Sequence, residues 1–186
     1  MKWQTLTLGF FATTGLASPI NTEARDVAAQ NLYSLRLSSS TRSLDGKYLG
    51  VNGTLVGVYK KSTALRFYPV TNKETSMVEL HTYPVGVVDH ALALIGSESQ
   101  GLLDLSDVVN PDSFTTPKGT KCDWKSFHLA SSGDSVNTLT YGGAGKNGRW
   151  VAFPSGNGAE WTVKWKDSNA MTLQTYMPVA IVYEAV

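Results

Sequence analysis

From residue 33 onward the chain falls into short runs of alternating apolar and polar side chains, and the runs come in three sets of four. The first set is 33–37, 47–51, 54–59 and 65–70; the second is 77–82, 91–95, 101–105 and 124–129; the third is 136–141, 149–153, 161–165 and 179–183. A period of two marks a strand with one face in the core and one in water. Tyr33, Leu35 and Leu37 fall on one face, with Ser34 and Arg36 on the other; Trp161, Val163 and Trp165 oppose Thr162 and Lys164 in the same way. Turn residues separate the runs: Asp45-Gly46, Asn52-Gly53, Gly96 to Gly101, Gly142-Gly143 and Pro154 to Gly158. Asn-Gly between alternating runs predicts a two-residue type I′ hairpin turn, because both of its central positions need positive φ. A hairpin over Tyr48–Tyr59 is therefore expected.

Three repeats of four strands predict an all-β fold with the order of a β-trefoil, in which each repeat gives two strands to a closed barrel and two to a hairpin cap. An irregular β-barrel or a β-sandwich is the alternative with a similar strand count. Closure would pair the first strand with the last, Ser34–Leu37 against Ile181–Tyr183, and remove the exposed edges that invite aggregation. The pattern nominates a core of Leu35, Leu37, Tyr48, Leu49, Val56, Val58, Phe67, Val78, Leu80, Leu92, Leu94, Leu103, Leu105, Phe127, Leu129, Leu139, Trp150, Phe153, Val163, Trp165, Ile181 and Tyr183.

The chain before the first run reads differently. Lys2, an apolar stretch from Leu6 to Leu16, and small Gly15 and Ala17 form the pattern of a secretory signal peptide over residues 1–17. Residues 18–31 show no strand alternation and are expected to be a flexible leader, leaving 32–186 as a single β domain. No later run approaches the roughly 20 apolar residues of a membrane helix. Of the 16 basic and 15 acidic residues of the whole chain, Lys2 alone lies in the signal, so the mature protein has no formal net charge with histidines neutral. No basic stripe is present to track phosphates, so neither nucleic acid nor an anionic membrane is an expected partner.

A single cysteine, Cys122, cannot form an intramolecular disulfide, so stability must come from apolar packing. It reads as an incidental thiol half-covered by Trp124, in an expected monomer, or as the bridge of a dimer.

No catalytic motif stands out. His81, His90 and His128 share no metal-ligand spacing, and Asp89-His90 would point to opposite faces of a strand. Asp104 with Asp107, or Asp123 with Glu160, would make a glycosidase pair only if the fold joined them across a cleft. No enzymatic activity, cofactor or metal is expected.

Asn52-Gly53-Thr54 is a sequon at a hairpin tip, which makes Asn52 both a turn residue and a candidate N-glycosylation acceptor. Aromatic faces stack on pyranose rings while amides bind hydroxyls, so Asn147, Trp150, Asn157 and Trp161 form the candidate ligand loop. The repeated Gln-x-Trp of ricin-type lectins is absent, with Gln174-Thr-Tyr176 only a faint echo.

Thr82 to Gly96, Gly101-Leu-Leu-Asp-Leu105, Gly148 to Pro154 and Tyr176 to Glu184 resemble segments of small secreted fungal proteins described as hypersensitive-response-inducing elicitors. The resemblance extends from about residue 32 to the end of the chain and rests on strands and turns. It implies a non-enzymatic protein, freely secreted or held at the cell wall, that a plant host perceives and answers with defence and local cell death. The implied partner is a host plant protein or a cell-wall glycan. A carbohydrate-binding wall module or a trefoil protease inhibitor would suit the same fold.

Overall fold

Each of the twelve alternating runs overlaps a strand in the computed structural model, which describes residues 31–84, 86–132, 135–142, 147–155 and 159–186. The expected signal peptide and most of the expected leader lie outside the described residues. The strands are β1 (Tyr33–Ser38), β2 (Gly50–Asn52), β3 (Leu55–Val58), β4 (Arg66–Thr71), β5 (Val78–Tyr83), β6 (His90–Ser97) and β7 (Leu102–Val109). They continue with β8 (Thr120–Asp123), β9 (Phe127–Ser132), β10 (Ser135–Tyr141), β11 (Gly148–Ser155), β12 (Glu160–Asp167), β13 (Met177–Pro178) and β14 (Ala180–Ala185). Apart from a 3-10 turn at Pro111–Ser113, the described residues contain no helix. Two short strands were not expected: β8 holds one apolar side chain and runs beside β6, and β13 is two residues long and pairs with β11.

Six strands close into a ring. Going round it, β1 pairs with β4, β4 with β5, β5 with β9, β9 with β10, β10 with β14, and β14 with β1, every pair antiparallel. The first and last strands meet as the alternation predicts, with Leu35 opposite Tyr183 and Leu37 opposite Ile181. Three hairpins, β2–β3, β6–β7 and β11–β12, lie between successive pairs of ring strands in the chain. They meet one another: β12 pairs with β3 through Trp161 and Val58 and with β7 through Trp165 and Leu103, and β3 reaches β7 through Leu55 and Ser106. Gly57 permits this junction. A Cβ there would stand 2.1 Å from the Trp161 carbonyl oxygen, so no larger residue fits without displacing β12.

The core fills the ring. Leu35, Phe67, Leu80, Phe127, Leu139 and Ile181, one from each ring strand, are fully buried, and Leu49, Val56, Leu105, Val163 and Trp165 carry the same cluster into the hairpins. A smaller cluster of Ala91, Ala93, Val108 and Trp124 packs on the other face of β6, which is why β6 reads as an unbroken apolar run.

Three core assignments need correction. Tyr48 is 48% exposed, because it faces outward beside Arg36 and donates its phenol hydrogen to Glu184; Val58 and Leu129 are half-buried at the margin. Leu44, in the loop after β1, is fully buried without having been expected there. The first hairpin turn is also displaced by one residue. Asn52 pairs with Leu55, so the turn is Gly53-Thr54, with positive φ at Gly53 (+64°) and not at Asn52 or Thr54. That is the II′ requirement, glycine first, in place of I′.

Replacing Phe67 or Phe127 by Ala should cost about 3–5 kcal/mol, read as a lower denaturant midpoint at unchanged slope. A loss under about 1 kcal/mol at both sites would mean that the ring is not the common core.

Candidate functional site

The residues nominated for ligand stacking separate in space. Trp150 is buried at 4% exposure, its indole N–H donating to the Leu139 carbonyl at 2.7 Å and its ring edge-on to Trp165, with centroids 5.2 Å apart. The ring faces the core, so no sugar can stack on it. Trp161 is half-buried against the same core, Asn147 is exposed with its carbonyl accepting the Ser168 N–H, and Asn157 lies outside the described residues. Asn52 is exposed at its hairpin tip, where Gly53 and Thr54 are exposed with it.

The histidines find partners that are not their neighbours in the chain. Asp89 turns to His81 at 3.0 Å, while His90 places Nδ1 3.0 Å from Asp107, whose other oxygen accepts from the Thr82 hydroxyl. His81 is buried, with Glu79 at 3.3 Å on its second nitrogen, Tyr68 stacked on one face and the Trp124 ring edge-on. It ties β4 and β5 to the segment before β9. His128 is exposed.

Each carboxylate nominated as a glycosidase acid also has its own partner. Asp104 pairs with Lys164 at 2.8 Å, Asp107 with His90, Asp123 with Tyr141 and Lys121, and Glu160 accepts the Lys60 backbone N–H. Among the described residues no group of three or more His, Cys, Asp or Glu is placed to hold a metal ion.

The Asp123 network was invisible in the sequence because its members come from β8 and β10. Tyr141 donates to Asp123 at 2.6 Å and accepts from Lys121 at 2.8 Å. Burial alone would lift the Asp123 carboxyl, but hydrogen bonds from Tyr141 and Ser126 and the Lys121 charge hold it below the usual carboxylate range. Burial, and then the bond to Asp123, push the Tyr141 phenol strongly up. Cys122, between Lys121 and Asp123 in sequence, is half-buried beside Ile95 and Trp124, and burial followed by the Asp123 charge raises its thiol. A thiol held in that form is a poor nucleophile.

Shallow clefts of about 240–420 Å³ open on the surface of the described residues. One of about 420 Å³ is formed by Lys166, Ala170, Met171, Thr172, Leu173 and Tyr176 in the connection from β12 to β13. Met171 and Leu173 there are 95% and 107% exposed, fully in water. The segment is held at its ends: Ala170 N–H bonds to the Asp167 carbonyl, and Met177 pairs with Ala152. Tyr176 packs on Phe153 at 5.7 Å, with the Lys166 ammonium 6.0 Å from its ring. The signal in the sequence for this loop was two large apolar residues, Met171 and Leu173, in a connection without strand alternation, and the alternation pattern passed over it.

Comparison of the chain with protein-family models, with curated proteins and with solved structures finds no match.

The low carboxyl range of Asp123 generates a signed expectation. Its contribution to stability is present above the range in which an unfolded carboxyl titrates and is lost as pH falls through the lower range of the folded group. Asp123→Asn should therefore be less stable than the native protein at neutral pH and converge with it in acid, read from denaturant midpoints across pH. A constant gap down to the most acid point would exclude the Asp123 contribution.

Proposed function

We propose that the protein is a secreted, non-enzymatic elicitor-like effector of β-trefoil architecture, recognised through its loops by a protein of a plant host. The trefoil reading is supported by a ring of β1, β4, β5, β9, β10 and β14 and by three hairpins, one between β1 and β4, one between β5 and β9 and one between β10 and β14. One observation carries the recognition reading: Met171 and Leu173 stand fully in water on a connection anchored at both ends. Apolar side chains presented in this way gain free energy only when a partner covers them. The nominated acid–base groups favour no reaction, since each is occupied by a neighbour. The earlier stacking site has less behind it, because Trp150 turns its ring inward.

Purified protein infiltrated into leaves is expected to cause an oxidative burst and local necrosis. Met171→Ser combined with Leu173→Ser should weaken the response without lowering thermal stability, because neither side chain is packed in the core. Inert behaviour across several hosts would overturn the effector reading; an undiminished response from the double variant would move recognition away from this loop.

A further inference from the structure

A second cleft, remote in sequence from the 168–176 loop, has the chemistry of a ligand site. It measures about 290 Å³ and is walled by the ends of β2 and β5, the connection into β4, and the facing strands β6 and β7. Its polar side is His90 and Asp107. Asp107 is largely buried, and both of its carboxylate oxygens are taken, one by the Thr82 hydroxyl at 3.1 Å and one by His90 Nδ1 at 3.0 Å. Its backbone N–H is fixed in turn by the Thr54 carbonyl at 2.8 Å.

A carboxylate only accepts, so the ring nitrogen facing it carries the hydrogen, and Nε2 of the neutral ring is left as a lone-pair acceptor. The structure gives Nε2 no partner among the described residues, and the His90 side chain is 38% exposed. The acceptor is thus oriented by three fixed groups and remains unspent.

Opposite in character is the aromatic wall. Tyr83 lines the same cleft and is 37% exposed, an aromatic side chain left open in a molecule whose other large rings mostly pack inward. Val51, Ala64, Leu65 and Pro84 complete an apolar lining.

An open aromatic ring beside a fixed hydroxyl acceptor suits a molecule with one apolar face and an equatorial belt of hydroxyls. We propose that this cleft binds a neutral pyranose, its C–H face against Tyr83 and one hydroxyl donating to His90 Nε2, with Asp107 and Thr82 as positioning residues. The volume has room for one ring, so the site takes a single sugar residue, free or at the end of a glycan. The Thr82 hydroxyl donates to Asp107 and so helps to hold the carboxylate that orients His90. The proposal stands apart from the effector reading, since it shares no residue with the Met171 and Leu173 surface.

The test is a titration of isotope-labelled protein with glucose, mannose, galactose and N-acetylglucosamine, followed through the ring resonances of His90 and Tyr83. At least one sugar should give a saturable shift at both residues, while the acyclic alditol sorbitol, which has no rigid apolar face, gives none. Tyr83→Ala and His90→Leu should each weaken binding about tenfold or more, and His90→Gln, which restores an acceptor, should recover part of it. Tyr83 is more than a third exposed, so Tyr83→Ala should keep a melting temperature near native; His90→Leu also removes the donor to Asp107, so its titration is run well below its own melting temperature, which separates lost binding from lost fold. Absence of a saturable shift with all four sugars, or binding that survives both Tyr83→Ala and His90→Leu, would overturn the site.

Discussion

Closure of the six-stranded ring is the constraint on which the rest of this molecule depends. With one cysteine the chain has no internal covalent cross-link, and the fully buried side chains Leu35, Phe67, Leu80, Phe127, Leu139 and Ile181 reach the common core only because their strands stand in a circle. The seam between β1 and β14 is long, with six paired residues; that between β5 and β9 rests on the one pairing of Val78 with Phe127. The narrow seam is reinforced by side chains. His81 on β5 meets Trp124 just ahead of β9, and Lys125, its ammonium 4.1 Å from the Trp124 ring, lies 3.9 Å from Glu79. These contacts staple the two strands where backbone pairing is sparse.

The strands were legible because a sheet with one wet face writes its geometry directly into the order of residues. Tyr33 to Leu37 and Trp161 to Trp165 could be read without knowing what they pair with. Thr120 to Asp123 could not: β8 has one apolar side chain, and it is a strand only because the second half of β6 offers it a partner. The turn at Gly53-Thr54 shows the limit of a local signal, since Asn52-Gly53 fits I′ chemistry but the pairing of Asn52 with Leu55 moved the turn by one residue.

The polar constellations were illegible for a related reason. His90 and Asp107 are diagonal neighbours across β6 and β7, a relation set by hairpin register, whereas the Asp89-His90 neighbours in sequence diverge. Alternation places Trp150 on a strand but does not say that β11 lies between β12 and β13 with Trp150 to Phe153 buried in succession, on both faces. The aromatic count therefore pointed to a site that packing had already consumed, while Tyr83, 37% exposed at the end of β5, was not singled out by it.

A closed barrel also explains why apolar loop residues can be left in water. Met171 and Leu173 contribute nothing to the core, and the elements that flank them, β12 and β13, are secured by their own pairing to β11. The loop is therefore free to vary without loss of the ring, and its apolar character has no folding role to account for it. The His90 cleft is built the opposite way, from residues tied to β5, β6 and β7 by hydrogen bonds that also hold hairpin to barrel. Changes at Asp107 or Thr82 would disturb fold and acceptor together, whereas changes at Tyr83 or His90 Nε2 would touch only the open face. The same ring thus carries two kinds of surface: one that can change freely because stability does not pass through it, and one whose geometry is fixed because stability does.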